Sequence, residues 1–474
     1  MTAGEIGASR RDLPLRTWRS LLAATVSLAV IGAAQAADVI GKAKPPAPQS
    51  TWEQDKLTGD WGGARTALSD QGLDFTINYI NEVFGVLSGG LERRASYEGR
   101  LELSADADLQ KLTGWSGATA HVTVFQIHNS GHNVAENVGS IADPSNIDAL
   151  PTTRLYTAWF EQNFNDKVSV RLGQLAADDE FFTSETAGGL INGTFGWASI
   201  LAANMINGGP AYPLATPGVR VKVTPAENLS LLAAVFSGDP AGGDCNNDPQ
   251  RCNRYGTTFS FSGGALWMGE LQYGINQGKD AVGLPGVYKL GVWYETADFP
   301  DQRFGLNGAG SVISLADPTV AGPLEHNGNW GFYGIADQMV WRDGERSLNL
   351  FVRAGYAPPD RNLVTWYVDG GAGFKGLVPG RADDTLTFGV SYAKISGDVV
   401  GLDRDTLAIN GAPYAVRDEE VVFELSYAAH IAKWWVVQPD LQYIIHPNGG
   451  QNPNDPTLSL DHAFVAGIRS TIQF

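Results

Sequence analysis

From Leu73 to the end of the chain, apolar and polar residues alternate with a period of two. In RLELSAD, Leu101 and Leu103 alternate with Arg100 and Glu102. The same alternation recurs in FTINYINEV, VSVRLG, VRVKV and LNLFVRA, which begin at residues 75, 168, 219 and 348. One apolar and one polar face per segment is the pattern of a β-strand that separates two environments. The pattern predicts an all-β protein.

Short connections between the predicted strands alternate with long ones. NFNDK, TPAEN and RDGER occupy 163–167, 224–228 and 342–346, whereas long connections are predicted near 129–150, 174–217, 237–257, 298–328, 397–416 and 446–460. A soluble β-sandwich would show the same period of two. An even number of strands, joined alternately by short turns and long loops, is instead typical of outer-membrane barrels. We predict a sixteen-stranded antiparallel transmembrane β-barrel over 73–474, with short periplasmic turns and long outer loops. Its strands are expected near 75–86, 98–108, 118–128, 152–162, 168–174, 218–224, 229–236, 259–274, 287–297, 329–341, 347–356, 364–374, 384–396, 417–429, 434–445 and 461–474.

The two ends of the chain carry export and assembly signals. Residues 21–34 read LLAATVSLAVIGAA and precede the small-residue site Ala34-Gln35-Ala36, which predicts a signal peptide over 1–36. Residues 37–72 are expected to form a periplasmic N-terminal segment, with a Pro-rich tether and a short helix around 63–70. The last strand ends in Phe474, the type of terminus that the barrel-assembly machinery recognises. The cell outer membrane is therefore the predicted location.

Composition excludes several other classes of protein. The formal net charge of −18 disfavours binding to the phosphate backbone of nucleic acid. After the signal peptide, the chain has no uncharged apolar segment long enough for a transmembrane helix. The motifs G-x-S-x-G and HExxH are absent, so an enzyme is not expected, and no cofactor is implied. A soluble all-β sugar-binding protein is a further alternative, which would need no detergent.

Three segments resemble a known family. TGDWGGARTALSDQGLDF (58–75), GLPGVYKLGVWYETADF (283–299) and WWVVQPDLQYIIHPNGG (434–450) are similar to the carbohydrate-selective outer-membrane porins of the OprB family. The resemblance covers 58–474 and implies passive, facilitated diffusion of monosaccharides such as glucose and of related small uncharged solutes. The alternative is a general-diffusion porin without sugar preference. Both a monomer and a homotrimer in outer-membrane lipid are compatible with the family.

The predicted constriction combines one long loop with charged residues on the polar faces of strands. The 174–217 connection exceeds the length of most loops, and such loops are usually functional. Guanidinium and carboxylate groups can replace the water around a sugar, and aromatic rings can stack on it. Glu180 and Phe181 resemble a family position at the start of this loop. The candidate constriction residues are Arg171, Glu180, Phe181, Arg220, Lys222, Glu82, Arg100 and Arg353, with Glu102 and Glu424 also expected to face the lumen.

Three further points limit this prediction. The loop could instead lie outside the barrel as a solvated lid, and each charged residue could be an ordinary wetted wall position. Arg154 matches the family, but strand parity places it on the face of Tyr156. A bulge or a rim position would be needed to bring it to the lumen, so Arg154 is not included.

Cys245 and Cys252 are predicted to form a local disulfide in an outer loop. No metal site is expected, because CxxC and His-rich patterns are absent.

Overall fold

The computed structural model describes residues 50–243, 245–278 and 281–474, of which Asn410 is described by its backbone alone. Within these residues, sixteen long strands are each paired with two neighbours and close into an antiparallel barrel. The predicted fold is therefore confirmed. The strands are β1 (Leu73–Ser88), β2 (Ala95–Asp108), β3 (Ala118–Asn129), β4 (Thr152–Asn165), β5 (Val168–Leu175), β6 (Thr216–Ala226), β7 (Leu229–Ser237), β8 (Ala265–Ile275), β9 (Gly286–Asn307), β11 (Val320–Asp343), β12 (Arg346–Tyr356), β13 (Val364–Lys375), β14 (Thr385–Ile395), β15 (Glu419–Ala432), β16 (Trp435–Ile445) and β17 (Ala463–Gln473), and the three-residue strand β10 (Val312–Ser314) adds to β9.

The helices of the described chain lie in the N-terminal segment and in the connections between strands, and none of them is long and apolar enough to cross a membrane. The α-helices are α1 (Ala64–Asp70), α2 (Leu109–Thr113), α3 (Val134–Val138), α4 (Gly193–Gly196), α5 (Ser199–Ala202), α6 (Pro249–Cys252) and α7 (Gly397–Asn410). Single 3-10 turns occupy Thr51–Glu53, Trp61–Gly63, Ala187–Gly189, Ile206–Gly208 and Pro447–Gly450.

The outer surface of the barrel is an apolar belt. Large apolar side chains within regular strands are at least half exposed there, among them Leu290, Val292, Trp267 and Trp366. On the opposite face of the same wall, Glu270 is buried. Exposed apolar side chains around a barrel with polar inner positions are the arrangement of a protein surrounded by lipid.

The connections between strands fall into two sets, one at each end of the barrel, and the longest of them lie at one end. At the end that we call the turn end, the connections are 109–117, 166–167, 227–228, 276–285, 344–345, 376–384 and 433–434. At the opposite loop end, they are 89–94, 130–151, 176–215, 238–264, 308–319, 357–363, 396–418 and 446–462.

Two predicted boundaries are wrong. The segment 298–328 is mostly not a loop, because β9 and β11 continue pairing beyond the length that a bilayer needs and form a long hairpin at the loop end. Once the hairpin leaves the lipid, its outward residues need not be apolar, so the alternation that marks a membrane strand fades. The strand predicted to begin near 259 begins at Ala265 instead.

The main core lies inside the barrel. The loops 130–151 and 176–215 fold inward and pack against the inner wall. One apolar cluster joins Phe181, Phe182, Ile200 and Leu201 of the second loop to strand residues such as Tyr333. Burial of this apolar surface stabilises the loop inside the lumen.

The N-terminal segment packs against the turn end. The Trp434 Nε1 atom donates to the Thr51 carbonyl oxygen over 2.8 Å, and Arg65 Nη2 donates to the Phe474 carbonyl oxygen over 2.8 Å. Helix α1 begins at Ala64 and ends at Asp70, close to the helix expected around 63–70. The predicted signal peptide 1–36 and most of the tether lie outside the described residues.

Candidate functional site

The loop 176–215 is held inside the lumen by hydrogen bonds to strands on the far side of the barrel. Arg353, on the inner face of β12, is completely buried and forms an ion pair with Asp369 of β13. Its Nη1 and Nη2 atoms donate to the carbonyl oxygens of Phe182, over 3.1 Å, and Thr194, over 2.9 Å. Arg353 therefore ties two points of the loop to the wall.

Other inward polar side chains serve the same purpose. Glu270 accepts a hydrogen bond from the Phe182 N–H over 3.0 Å, and Asp337 accepts one from the Thr186 N–H over 2.9 Å. Further contacts of this kind join Lys289 to Thr183, Glu424 to Asn192, Gln442 to Asn192, Gln438 to Gly189 and Asn204 to Val364. The loop thus crosses the interior rather than lying outside as a lid.

On the wall where this loop begins, charged residues of opposite sign form a continuous row. The strand register places Glu161 of β4 opposite Arg171 of β5, and Arg171 opposite Arg220 of β6. Arg171 Nη2 lies 2.7 Å from Glu161 Oε2, and Arg171 Nη1 lies 3.6 Å from Glu180 Oε2. Arg220 Nε lies 2.8 Å from the same Glu180 oxygen, so Glu180 links the loop to both arginines.

An aromatic stack fixes the orientation of Arg171. The Arg171 Cζ atom lies 3.9 Å from the centroid of the Trp159 ring, and the imidazole of His121 stacks on Trp159 with centroids 4.8 Å apart. His121 Nδ1 is 2.6 Å from an Asp106 carboxylate oxygen. A guanidinium above an aromatic face gains cation–π attraction, which orders Arg171. Trp159 therefore contacts both Arg171 and His121.

A second pair extends the polar surface toward β2. Arg100 Nη2 lies 3.8 Å from Glu102 Oε2, and its Cζ atom lies 4.6 Å from the Phe125 ring. Asp179, at the start of the loop, has an exposed side chain. The constriction cluster, as we use the term, consists of Arg100, Glu102, Glu161, Arg171, Asp179 and Glu180.

The pKa of Asp179 depends on its desolvation and on the charges around it. Although its side chain is open to lumen water, the barrel wall withdraws it from bulk solvent, which raises the pKa of the carboxyl to about 7. The charge of Asp178 adds to the rise, and Arg171 opposes it. The charge of this wall therefore changes near neutral pH.

The structure separates the sequence-predicted residues into two groups. Arg100, Arg171 and Glu180 keep 16, 17 and 22% of their side chains exposed, so a solute can reach them. Lys222 is half-buried on the inner face of β6 and forms no ion pair with a described residue.

The remaining candidates are not open to the lumen. Glu82 is 1% exposed and is bound by Arg469 and Ser145, because the loop 130–151 covers it. Phe181 packs edge-on against Phe236, and Arg220 lies behind Glu180. Like Arg353, these residues are buried, because infolded loops cover the wall positions that strand parity places inside.

The sequence interpretation did not name Glu161 or Trp159, although the period of two places both on the face opposite Phe160. A β-bulge decides the face of Arg154. Between β3 and β4 the register shifts, with Val122 opposite Ala158 and Val124 opposite Leu155. The extra residue of β4 reverses the faces, so Arg154 and Glu161 both point inward. Of the two alternatives that the sequence analysis left open for Arg154, the bulge is the one present, and Arg154 is buried. It donates from Nη1 to the Pro213 carbonyl oxygen over 2.8 Å, which anchors the far end of the loop 176–215.

Cys245 and Cys252 form a disulfide in the loop 238–264. This link closes a small turn that contains α6. It lies apart from the charged row on β4–β6, and the loop that carries it contacts the loop 130–151 through Gln250, whose side-chain oxygen accepts from the Leu150 N–H over 2.8 Å.

Comparison with known proteins adds independent information. The family model described as "Carbohydrate-selective porin, OprB family" matches residues 92–474. Porin B of Pseudomonas aeruginosa is 27% identical over 452 residues, which cover 89% of this chain and 91% of that protein. The structure of Pseudomonas putida OprB at high pH is 26% identical, with a TM-score of 0.78, and the match covers 90% of this chain and all of that one. The low-pH structure of the same protein, 21% identical with a TM-score of 0.55, is similar in fold.

Proposed function

The chain belongs to the OprB family of carbohydrate-selective porins, and we propose that its constriction cluster selects monosaccharides and related small uncharged solutes for facilitated diffusion. The protein is an outer-membrane β-barrel channel, with sugars as its solutes. The observation that carries the proposal is the row Glu161–Arg171–Glu180, which presents fixed donors and acceptors beside an infolded loop.

The selectivity follows from the chemistry of this row. A neutral sugar must exchange hydrogen bonds with water for hydrogen bonds with the wall, and guanidinium and carboxylate groups supply both kinds. The two charge signs nearly cancel locally, so an uncharged solute meets no large electrostatic barrier. An anion is repelled by Asp179, Glu180 and Glu102, and a cation is repelled by the arginines. The free ammonium of Lys222 adds a donor on the neighbouring strand.

The exported chain is proposed to lose residues 1–36 and to keep 37–72 as a periplasmic segment. The position of 50–72 at the turn end supports this arrangement, since Arg65 contacts the carbonyl of Phe474 there. Phe474 is also proposed as the signal to the barrel-assembly machinery. In the folded barrel, its N–H donates to the Ile77 carbonyl oxygen over 2.9 Å. The barrel would act as a monomer or as each unit of a homotrimer.

Swelling of proteoliposomes tests the proposed selectivity. The mature protein is reconstituted, and the rates for glucose, for gluconate and for an amino acid of similar size are compared. We expect glucose to enter fastest, and Arg171→Ala to lower the glucose rate several-fold, because the ordered donor opposite Glu161 is lost. Equal rates for glucose and the amino acid would instead establish a general-diffusion porin.

Arg342→Ala is the matched control for this experiment. Arg342 is exposed at the turn end, so its removal takes away the same charge at a position outside the constriction cluster. Its glucose rate should equal that of the unsubstituted protein. If Arg171→Ala also leaves the glucose rate and the ion selectivity unchanged, Arg171 does not belong to the constriction.

A further inference from the structure

Three potential metal ligands from two separate parts of the chain meet at the loop end of the barrel. His446 follows β16, whereas Asp418 and Glu419 lie at the start of β15. One donor atom from each of the three lies within 4.8 Å of the other two, and His446 Nδ1 is 2.9 Å from Asp418 Oδ1. Two ligands of a tetrahedral zinc site are about 3.3 Å apart when the bonds are about 2.0 Å. Small side-chain adjustments would therefore bring all three donors onto one ion.

A second imidazole lies beside this group. The ring centroids of His446 and His462 are 5.0 Å apart, and His462 Nδ1 is 3.2 Å from the Tyr443 hydroxyl oxygen. This contact at Nδ1 leaves the other ring nitrogen of His462 available. Metal-bound imidazoles commonly use one nitrogen for the metal and the other for a hydrogen bond that orients the ring.

The backbone around these donors is held by one hydrogen bond between the two loops and one within the loop 446–462. The Asp418 N–H donates to the Gly449 carbonyl oxygen over 3.1 Å, and the Gly450 N–H donates to the His446 carbonyl oxygen over 3.1 Å. His446 has a φ of +49°, a conformation that side chains of this size rarely adopt. The donor geometry is thus fixed before any ion binds.

The group is accessible and carries excess negative charge. The His446 and Asp418 side chains are 36 and 44% exposed, so a hydrated ion can reach them. Lys394 Nζ binds one Glu419 oxygen over 2.9 Å, which leaves two carboxylates against one ammonium. The nearby Arg417 is engaged by Asp403 over 2.7 Å. A divalent cation would neutralise this excess.

We propose that Asp418, Glu419 and His446 form a binding site for a divalent transition-metal ion that links the loops 396–418 and 446–462, with the imidazole of His462 beside it. Imidazole with carboxylate ligands favours zinc, nickel or copper over calcium and magnesium, which prefer oxygen ligands alone. The site lies outside the lumen row, so it is independent of the proposed sugar selectivity. The sequence alone does not predict this metal site, because no pair of its ligands has the spacing of a known metal-binding motif.

Calorimetric titration with ZnCl₂ tests the proposal on the whole mature protein in detergent, after treatment with EDTA and at pH 7.5. We expect one zinc ion per chain, with His446→Gln weakening binding at least tenfold. Lys394→Ala should tighten binding, because Glu419 is released from its ion pair. Zinc should also slow limited proteolysis of the loops 396–418 and 446–462 in the unsubstituted protein.

His430→Gln is the matched control, because His430 lies on the same strand as Glu419 but near the turn end and is exposed. It should bind zinc like the unsubstituted protein. Heat-modifiable migration of each variant on an SDS gel establishes that its barrel is folded, and Asp418→Asn serves as a second site variant. The proposal is overturned if zinc does not bind saturably, if folded His446→Gln and Asp418→Asn bind zinc unchanged, or if calcium binds as tightly as zinc.

Discussion

Among single residues, exposure separates the charges that can meet a solute from those that hold the constriction in place. Arg171 and Arg353 have the same side chain and both lie on inner faces of strands. Arg171 remains partly exposed between Glu161 and Glu180, whereas Arg353 is fully enclosed by Asp369 and loop carbonyls. A buried charge must be paired because its desolvation is costly. An exposed one in the lumen can exchange its partner for a passing hydroxyl group.

The raised pKa of Asp179 predicts a pH-dependent ion selectivity. With a pKa of about 7, the carboxyl is charged in about a tenth of molecules at pH 6 and in about nine tenths at pH 8. The constriction cluster therefore becomes more negative as the pH rises, and the cation-to-anion permeability ratio should increase over this range. Reversal potentials in planar bilayers under a salt gradient measure that ratio.

Asp179→Asn is the variant that isolates this effect. Asparagine has nearly the same shape but no titrating proton, so the ratio should change much less between pH 6 and 8 than in the unsubstituted protein. Glucose entry depends less on charge and should change little. The assignment to Asp179 is wrong if the variant keeps the pH dependence of the unsubstituted protein.

For strands and loops, the sequence predicts what a regular period determines. The alternation placed Arg171 on the inner face and gave sixteen membrane strands, because lipid demands an apolar residue at every second position. Two irregularities escaped it. The bulge in β4 turned Arg154 to the same face as Glu161, and pairing of β9 with β11 beyond the membrane left no apolar signature.

The role of an inward residue could not be predicted in the same way. Parity assigns Arg353 and Glu82 to the inside, but it does not say which loop covers them. That outcome depends on contacts distant in sequence, such as Glu82 with Ser145 and Arg353 with Thr194. Candidate solute contacts and loop anchors therefore carry the same sequence signal.

The anchoring role of Arg353 predicts the effect of its removal. Arg353→Met leaves Asp369 buried without its cation and releases the carbonyls of Phe182 and Thr194. Loss of one partner of a buried ion pair costs about 3–5 kcal/mol, which is enough to loosen the loop 176–215. We expect single channels with larger, noisier conductance and a lower preference for glucose over an amino acid of similar size.

The strands do not depend on this anchor for their pairing, so the variant should keep the strand content and heat-modifiable migration of the barrel. Arg346→Met removes an arginine from an exposed turn and should leave conductance and selectivity unchanged. Unaltered conductance and selectivity in a folded Arg353→Met barrel would contradict the proposed anchor.

The barrel closes where its first and last strands pair, and no turn connects these two strands. β1 and β17 are the neighbouring strands from opposite ends of the barrel domain, and their pairing closes the cylinder. Glu82 lies directly opposite Arg469 in this pairing, with Arg469 Nε 2.6 Å from Glu82 Oε2. Ser145 donates a hydrogen bond to the same carboxylate. A slip of one residue would turn these charges toward lipid, so the ion pair favours one register of closure.

This pairing predicts strong coupling between the two charges. Glu82→Leu or Arg469→Leu alone leaves a buried charge unpaired and should reduce the free energy of unfolding by about 3–5 kcal/mol. The double variant removes both charges and should recover most of that loss, since paired apolar residues often replace a buried ion pair at little cost. Unfolding by guanidinium in lipid vesicles, followed by tryptophan fluorescence, gives the four free energies of the double-mutant cycle.

The exposed pair Glu92–Arg94 is the control, and Arg94→Ala should cost less than about 1 kcal/mol. Losses that simply add in the double variant would mean that Glu82 and Arg469 stabilise the barrel separately, and closure would then rest on backbone pairing alone.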